Sequence, residues 1–349
     1  MLTDNSYTRD LRAQADTLEA ALTQYPAAEM AQLARRYQSG EFDRLVITGM
    51  GSSHNALYPA QQALASAANP PFYINTAELL HYASGLVTPR TLLWINSQSG
   101  KSAELVNLLQ RLATEKRQPA FQMTLSNDPA SPIATAADLC IPLHAGTELT
   151  VSTKTYLNML ALSQLAAAQL LGQDHLALLA AFQGAVPAIR AFLGELSTHA
   201  DQLDRLTEGM QQAVYVGRGP SMAAVTQGSL TSGEAAKFYV PGLNVADFRH
   251  GPFEIVDGRL TVFILQGQPA TRNANERLAQ EVSEKGGKVV WLATQKHPIY
   301  PTFLLPNVPA NALSLVEILP FQVMTLVLAA RTGFEPGVFR HISKVTETE

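Results

Sequence analysis

The sequence predicts an α/β protein built from two similar halves, each a parallel sheet with helices on both faces. Three observations predict it. Short apolar runs feed glycine- and serine-bearing loops that open helical stretches, the pattern of strand–loop–helix units in a parallel sheet. The pattern recurs: Gly49 and Gly217, Gly51 and Gly219, and Ser53 and Ser221 are each 168 positions apart. Finally, 349 residues with 46% hydrophobic and 15% charged side chains suit a well-buried chain of about two domains.

In chain order, Leu11, Ala15, Leu18 and Leu22 carry helical spacing in an opening segment. Arg44 to Gly49 (RLVITG) then reads as a buried strand running into GSSHN and the helical stretch ALYPAQQALAS. Leu92 to Asn96 (LLWIN) is a second strand, followed by SQSGKS and a helix around Glu104 to Leu112. In the second half the corresponding strands are Ala213 to Gly217 and Leu260 to Leu265, the latter followed by QGQPATR and a helix from Asn275 to Glu284. A duplication of this length means two α/β domains rather than a solenoid, whose repeats are far shorter. The linker is expected near Gly184 to Ser197, where GAVP interrupts a long helical stretch, giving domains at 1–190 and 191–349.

Composition narrows the function. A net charge of -4 opposes a nucleic-acid surface, while a local donor cluster can still hold a small anion. Cys140 is the single cysteine, so neither an intramolecular disulfide nor a cysteine-rich zinc site is expected. The N-terminus (MLTDNSYTRDLRAQ) is too polar for a signal peptide. Apolar runs such as Leu176 to Phe182 fall short of the roughly 20 residues that cross a bilayer, and a cytoplasmic protein without membrane contact is expected.

Ligands in open parallel sheets sit beyond the carboxyl ends of the strands, where free backbone N–H groups at helix N-termini favour anions. Ser97, Gln98, Ser99, Gly100 and Ser102 occupy such a junction after LLWIN. Three hydroxyls, an amide and a close-approach glycine there form a dense donor set for a phosphate. Ser53, in the first junction of the same sheet, is read as a further phosphate donor. GMGSSH is not a dinucleotide fingerprint, because His54 stands where the third glycine belongs. QGQPATR lacks the serines, so one half is expected to keep the phosphate site and the other to supply architecture and catalytic groups.

These loops, the Ser152-Thr153-Lys154 segment and the stretch GEAAKFYVPGLNVADFRHGPFEIVD resemble the sugar-isomerase (SIS) family. The likeness is strongest to the isomerase half of glucosamine-6-phosphate synthase and to related fructosamine-6-phosphate deglycases and amino-sugar-phosphate deaminases, and runs from about Leu11 to the C-terminus. It implies two tandem SIS domains, doubly wound and flavodoxin-like, and a homodimer with shared active sites. It assigns the sugar phosphate to Ser53, Ser97, Gln98, Ser99 and Ser102, with Gly100 in the loop. Glu234 falls on the general base, His250 on the ring-opening residue supplied from a neighbouring subunit, and Lys344 on the lysine able to form a Schiff base. Glu148 and Val151 match a further sugar-contacting segment.

The chemistry fits those residue types. Moving a carbonyl between adjacent carbons needs one base that takes a proton from one and returns it to the other. Histidine suits ring opening, and a lysine imine withdraws electrons from the neighbouring C–H bond. The chain departs from the family at Lys101, where an acid is usual, at Phe339, where proline is usual, and by one residue between Glu148 and Ser152. With Leu2 second and no glutaminase half, release of an amine from a hexose 6-phosphate is expected rather than synthesis. The alternatives are a simple aldose–ketose phosphate isomerase and a non-catalytic sugar-phosphate sensor, though no basic recognition helix precedes Arg44. No metal and no cofactor is assigned, and the expected ligand is a phosphorylated sugar or amino sugar.

Overall fold

The computed structural model describes residues 4–346; Leu2 and the extreme ends of the two expected domains lie outside them. Five strands form the first sheet: β1 (Arg44–Gly49), β2 (Phe72–Asn75), β3 (Thr91–Ser97), β4 (Phe121–Ser126) and β5 (Leu139–Pro142). The second contains β6 (Gln212–Gly217), β7 (Gly242–Asn244), β8 (Leu260–Leu265), β9 (Lys288–Ala293) and β10 (Thr302–Leu304). All pairings are parallel, in the orders β2-β1-β3-β4-β5 and β10-β9-β8-β6-β7. Each order reverses beside its first strand, which puts a ligand crevice between the carboxyl ends of β1 and β3 and another between those of β6 and β8.

The described residues cluster into two compact units that are not contiguous in sequence. The first unit comprises 13–148, 152–183 and 340–346, and the second 4–12, 149–151 and 184–339. In the first, β3 is buried at every position because it is central and covered on both faces. Val46, Leu93 and Ile95 pack against Leu105, Leu108 and Leu112 of the helix Ala103–Thr114. The helix Lys154–Leu170 is apolar almost all round and correspondingly buried, and two of its amide and hydroxyl groups are tied to neighbouring elements. Asn158 Nδ2 donates to the Leu143 carbonyl at 2.8 Å, and Ser163 Oγ accepts from Asn96 Nδ2 at 3.0 Å. Asn96 in turn accepts the indole N–H of fully buried Trp94 at 2.8 Å.

In the second unit, Val214, Val216, Val262 and Ile264 pack with Leu278, Val282 and Trp291. The helix Leu319–Thr332 is buried along nearly its whole length. Replacing a core leucine such as Leu93 or Leu278 by alanine would cost about 2–5 kcal/mol through lost burial and the cavity left behind.

Two expectations are corrected. The helix does not break near Gly184 as expected: His175–Gly194 runs through Gly184 and Pro187, and the two units divide within it. Burial of Phe182, Ala185, Val186, Ile189 and Phe192 along one face outweighs the hydrogen bond that Pro187 cannot make. For the same reason the apolar stretches are longer than they read. Among the described residues His175–Gly194 and Ala310–Thr332 are each long and apolar enough to cross a membrane by length and composition, and the second is wholly buried inside the protein. The opening helical spacing is also split at Ala13, into Ser6–Arg12 and Gln14–Thr23, with Leu11, Ala15, Leu18 and Leu22 all buried.

Candidate functional site

In the first unit the two serine-bearing loops meet at the switch point. Ser53, on the short helix Gly51–Ala56 that follows β1, accepts the backbone N–H of Gln98 at 3.3 Å. Ser97 Oγ accepts the N–H of Gly100 at 3.0 Å, and Ser99 Oγ that of Lys101 at 3.2 Å. Gly100 has φ +63°, and a Cβ there would lie 2.0 Å from Ser131 Oγ, so only glycine fits. Ser102 stands at the N-cap of Ala103–Thr114, yet its hydroxyl caps nothing and is buried without a hydrogen-bond partner among the described residues. An ordinary capping serine would accept an N–H of the first turn. This one is left available, at a helix end whose dipole favours an anion.

Lys101 does not project freely from this loop. Its ammonium pairs with Asp128 at 2.7 Å. That hydrogen bond, together with the Ala130 N–H, holds the Asp128 carboxyl below its ordinary range. His54, next to Ser53, stacks on Tyr73 with ring centroids 4.0 Å apart, and burial pushes its pKa down to about 4. It is therefore a neutral imidazole beside the loop, with a buried Nδ1 that has no partner.

The same unit holds Glu148 and the C-terminal segment. The Glu148 side chain is fully buried. It accepts the N–H groups of Thr153 and Thr155 at 2.9 and 3.1 Å and the Thr155 hydroxyl at 2.7 Å. Lys344 Nζ completes the set at 2.8 Å. Two residues further on, the Thr346 carbonyl accepts the N–H of Ala103, the first residue of the helix behind Ser102, at 3.0 Å. The polar tail is thus tied to the start of that helix, directly after Ser102, and its lysine to Glu148.

Glu234, His250 and Val151 belong to the second unit. Glu234 lies near the end of Met222–Ala236, partly exposed. That helix stops at Lys237, which takes a left-handed conformation and donates its ammonium to the carbonyls of Glu234 and Val338. His250 is exposed at the end of the short helix Val245–Arg249, before Gly251 with φ +150°. Val151 is buried, and Asp10 accepts the N–H of Leu149 just before it at 3.3 Å.

Within the first unit, then, Ser53, Ser97, Gln98, Ser99, Gly100 and Ser102 share one loop pair, and Glu148 and Lys344 share one ion pair. Thr155, Asp128, Ser131 and His54 were not singled out from sequence as site residues. The TKT alternation at Thr153–Thr155 was the available signal for the Glu148 cage. The role of Ser131 against Gly100 has no local sequence signal.

Comparison with known proteins finds a family match over part of the chain. Residues 41–169 match the SIS domain family and contain the whole serine loop pair. The chain is 26% identical over 337 residues to the glutamine–fructose-6-phosphate aminotransferase (isomerizing) of Pyrococcus horikoshii, covering 93% of this chain and 54% of the relative. It therefore spans about half the length of the curated relatives it matches. Among solved structures, tagatose-6-phosphate ketose/aldose isomerase from Escherichia coli superposes with a TM-score of 0.81 at 18% identity, covering 98% of this chain and 99% of that one. Glucosamine-6-phosphate deaminase from Thermotoga maritima gives 0.72 at 16%, again covering 98% and 99%. These likenesses establish the fold: α/β, with two parallel five-stranded sheets flanked by helices.

Proposed function

We propose that this chain, a SIS protein with a second SIS-type half, is a phosphosugar enzyme that releases an amine from a hexose 6-phosphate. The observation that carries the reading is the Lys344 amine held 2.8 Å from a fully buried carboxylate and strapped to the helix behind the serine loop. A lysine in a polar tail is ordinarily solvated. One held by a buried carboxylate, on a tail bound to the helix that Ser102 opens, has a chemical use.

In this reading the phosphate is taken by Ser53, Ser97, Gln98, Ser99 and Ser102, with Gly100 allowing the backbone close. His250 passes the proton that opens the sugar ring. Glu234 removes the proton from carbon-2 of the amino sugar and returns it to carbon-1, converting the aldehyde and amine into an alcohol and an imine. Water then hydrolyses the imine to a ketone and free amine. Lys344 condenses reversibly with the sugar carbonyl where the substrate presents one, and Glu148 holds its ammonium until then. Glu148 and Val151 border the sugar. The relatives named for aminotransferase, isomerase and deaminase reactions on sugar phosphates support this class of chemistry.

The test is incubation with 6-phosphorylated hexosamines and fructosamines, measuring released amine together with ketose phosphate from the hexosamines or aldose phosphate from the fructosamines. Amine release from at least one compound is expected. Interconversion of aldose and ketose phosphates without amine release would replace this reading with simple isomerisation, and turnover of none would leave a sensor. We also propose a cytoplasmic homodimer in which His250 serves the partner's site. Mixing inactive Glu234→Gln and His250→Ala chains should then restore part of the activity, and no recovery in proven mixed dimers would exclude sharing.

A further inference from the structure

The crevice of the second sheet, at the carboxyl ends of β6 and β8, is not an empty counterpart of the serine loops. Val216 and Ile264 are register partners, so the loops that follow these strands leave the sheet side by side. They lie close together: a Cβ on Gly267, which has φ +67°, would be 3.7 Å from Ser221 Oγ and 3.2 Å from Asn275 Nδ2.

Three buried side-chain atoms without a hydrogen-bond partner lie on these two loops and the helix behind them: Arg218 Nε, Arg272 Nε and Asn275 Oδ1. Neither guanidinium has an acceptor or a carboxylate partner among the described residues. Elsewhere in the same unit Arg249, Arg259 and Arg331 are paired with Glu281, Asp257 and Asp204. Arg218 directly follows β6, and Arg272 opens the 13-residue helix Arg272–Glu284, whose N-cap residue makes no side-chain cap. An unpaired guanidinium at a helix N-terminus and a second on the loop after the neighbouring strand are a dianion's complement.

The floor is polar as well. Asn275 is fully buried and donates to the carbonyls of Leu265 and Gln266 at 3.0 and 3.2 Å, which leaves its Oδ1 as an unused acceptor. Ser221 Oγ donates to buried Glu317 at 2.7 Å. A buried acceptor is costly to leave without a donor, so its presence on the same helix as an unpaired guanidinium fits a ligand with both anionic and hydroxyl groups.

We propose that the Arg218–Ser221 and Gln266–Arg272 loops form a second binding site, for a hydroxyl-bearing phosphate monoester. Arg218, Arg272 and the start of Arg272–Glu284 take the phosphate, and Asn275 Oδ1 takes a hydroxyl. The site does not depend on the function proposed for the serine loops.

Calorimetric titration with glucose 6-phosphate tests it. In a Ser97→Ala, Ser99→Ala chain, one equivalent should still bind, and adding Arg218→Gln and Arg272→Gln should weaken that binding at least tenfold. Unchanged affinity after the arginine substitutions, or no residual binding at millimolar ligand in the serine variant with its melting temperature intact, would overturn the second site. If the unaltered chain binds one equivalent that the arginine substitutions remove and the serine substitutions do not, the second site stands and the serine-loop assignment fails. The unaltered chain supplies an independent measurement. Phenylglyoxal modification of Arg218 and Arg272, mapped by mass spectrometry, should slow several-fold with glucose 6-phosphate, and equal rates with and without it would count against the site.

Discussion

The crevices between β1 and β3 and between β6 and β8 have the same strand order and the same parallel pairing, and they carry opposite side-chain chemistry. In the first unit the loops bear small hydroxyl side chains that have folded onto the loop's own N–H groups, with Ser102 left over. The second unit's loops bear two arginines without partners above a buried carboxyl. The sheet decides where a ligand can sit, and the residues after each strand decide what sits there. Neutral donors preorganised by their own hydrogen bonds make a compact phosphate cradle. Long cationic side chains above polar groups make a looser site, more responsive to charge.

The largest effect separates binding from proton transfer. Glu234→Gln should lower turnover about 100-fold or more while leaving phosphosugar binding nearly unchanged, as read by steady-state kinetics and titration. Full activity in the folded variant would return both roles to the first unit. Next, Ser97→Ala and Ser99→Ala should each weaken phosphosugar binding by about 1–3 kcal/mol. Part of that loss arises because the N–H groups of Gly100 and Lys101 also lose their acceptors. A substrate phosphate seen only in the second crevice would reverse the comparison.

A third test concerns charge below the second crevice. Burial raises the Glu317 pKa from 4.5 to about 7, against the opposing pull of its Ser221 hydrogen bond. The folded state therefore holds this proton more tightly than the unfolded chain. The stability it contributes is complete below about pH 4.5 and is lost as pH rises through about 7. Glu317→Gln should remove that loss, so its melting temperature relative to the unaltered chain should rise between pH 5 and 8, by at most about 3 kcal/mol of stability. Parallel pH profiles for the two chains would show that the carboxyl titrates normally. The smallest effect is expected at Lys101. Because its ammonium is engaged by Asp128, Lys101→Glu should weaken glucosamine 6-phosphate and fructosamine 6-phosphate alike, by roughly threefold, with little change in stability because the pair is screened by solvent. Selective loss of the fructosamine compound would instead give Lys101 a carboxylate to bind.

What could be read from sequence follows the same physics. Arg44–Gly49 and Leu260–Leu265 were legible to the residue because both faces of a central strand are buried and the apolar run is unbroken. Edge strands such as Phe72–Asn75 and Gly242–Asn244 were not, being three or four residues long and only partly buried. Helix continuity through Pro187 was hidden because local breaker chemistry opposes it and only tertiary burial restores it. The serine loop was visible because all its donors are neighbours in sequence. The Glu148 cage was visible only as isolated residues, since Lys344 reaches it across 196 positions. The two arginines of the second crevice carried no sequence signal beyond their charge. What distinguishes them is that, among the described residues, neither is paired with an acid, which only the folded chain reveals.

The placement of Trp94 in β3 and Trp291 in β9 gives each sheet its own optical reporter, since these are the chain's two tryptophans. Trp94 is sealed from solvent with its indole N–H bound to Asn96, and Trp291 has the His297 ring 5.3 Å away. Unfolding the first sheet should therefore shift Trp94 emission to the red from a very blue starting point. In a Trp291→Phe chain the whole tryptophan signal comes from the sheet that carries the serine loop, and in a Trp94→Phe chain from the sheet that carries the arginines. Denaturant titrations of those two single-tryptophan chains would resolve whether the halves melt at one midpoint or at two.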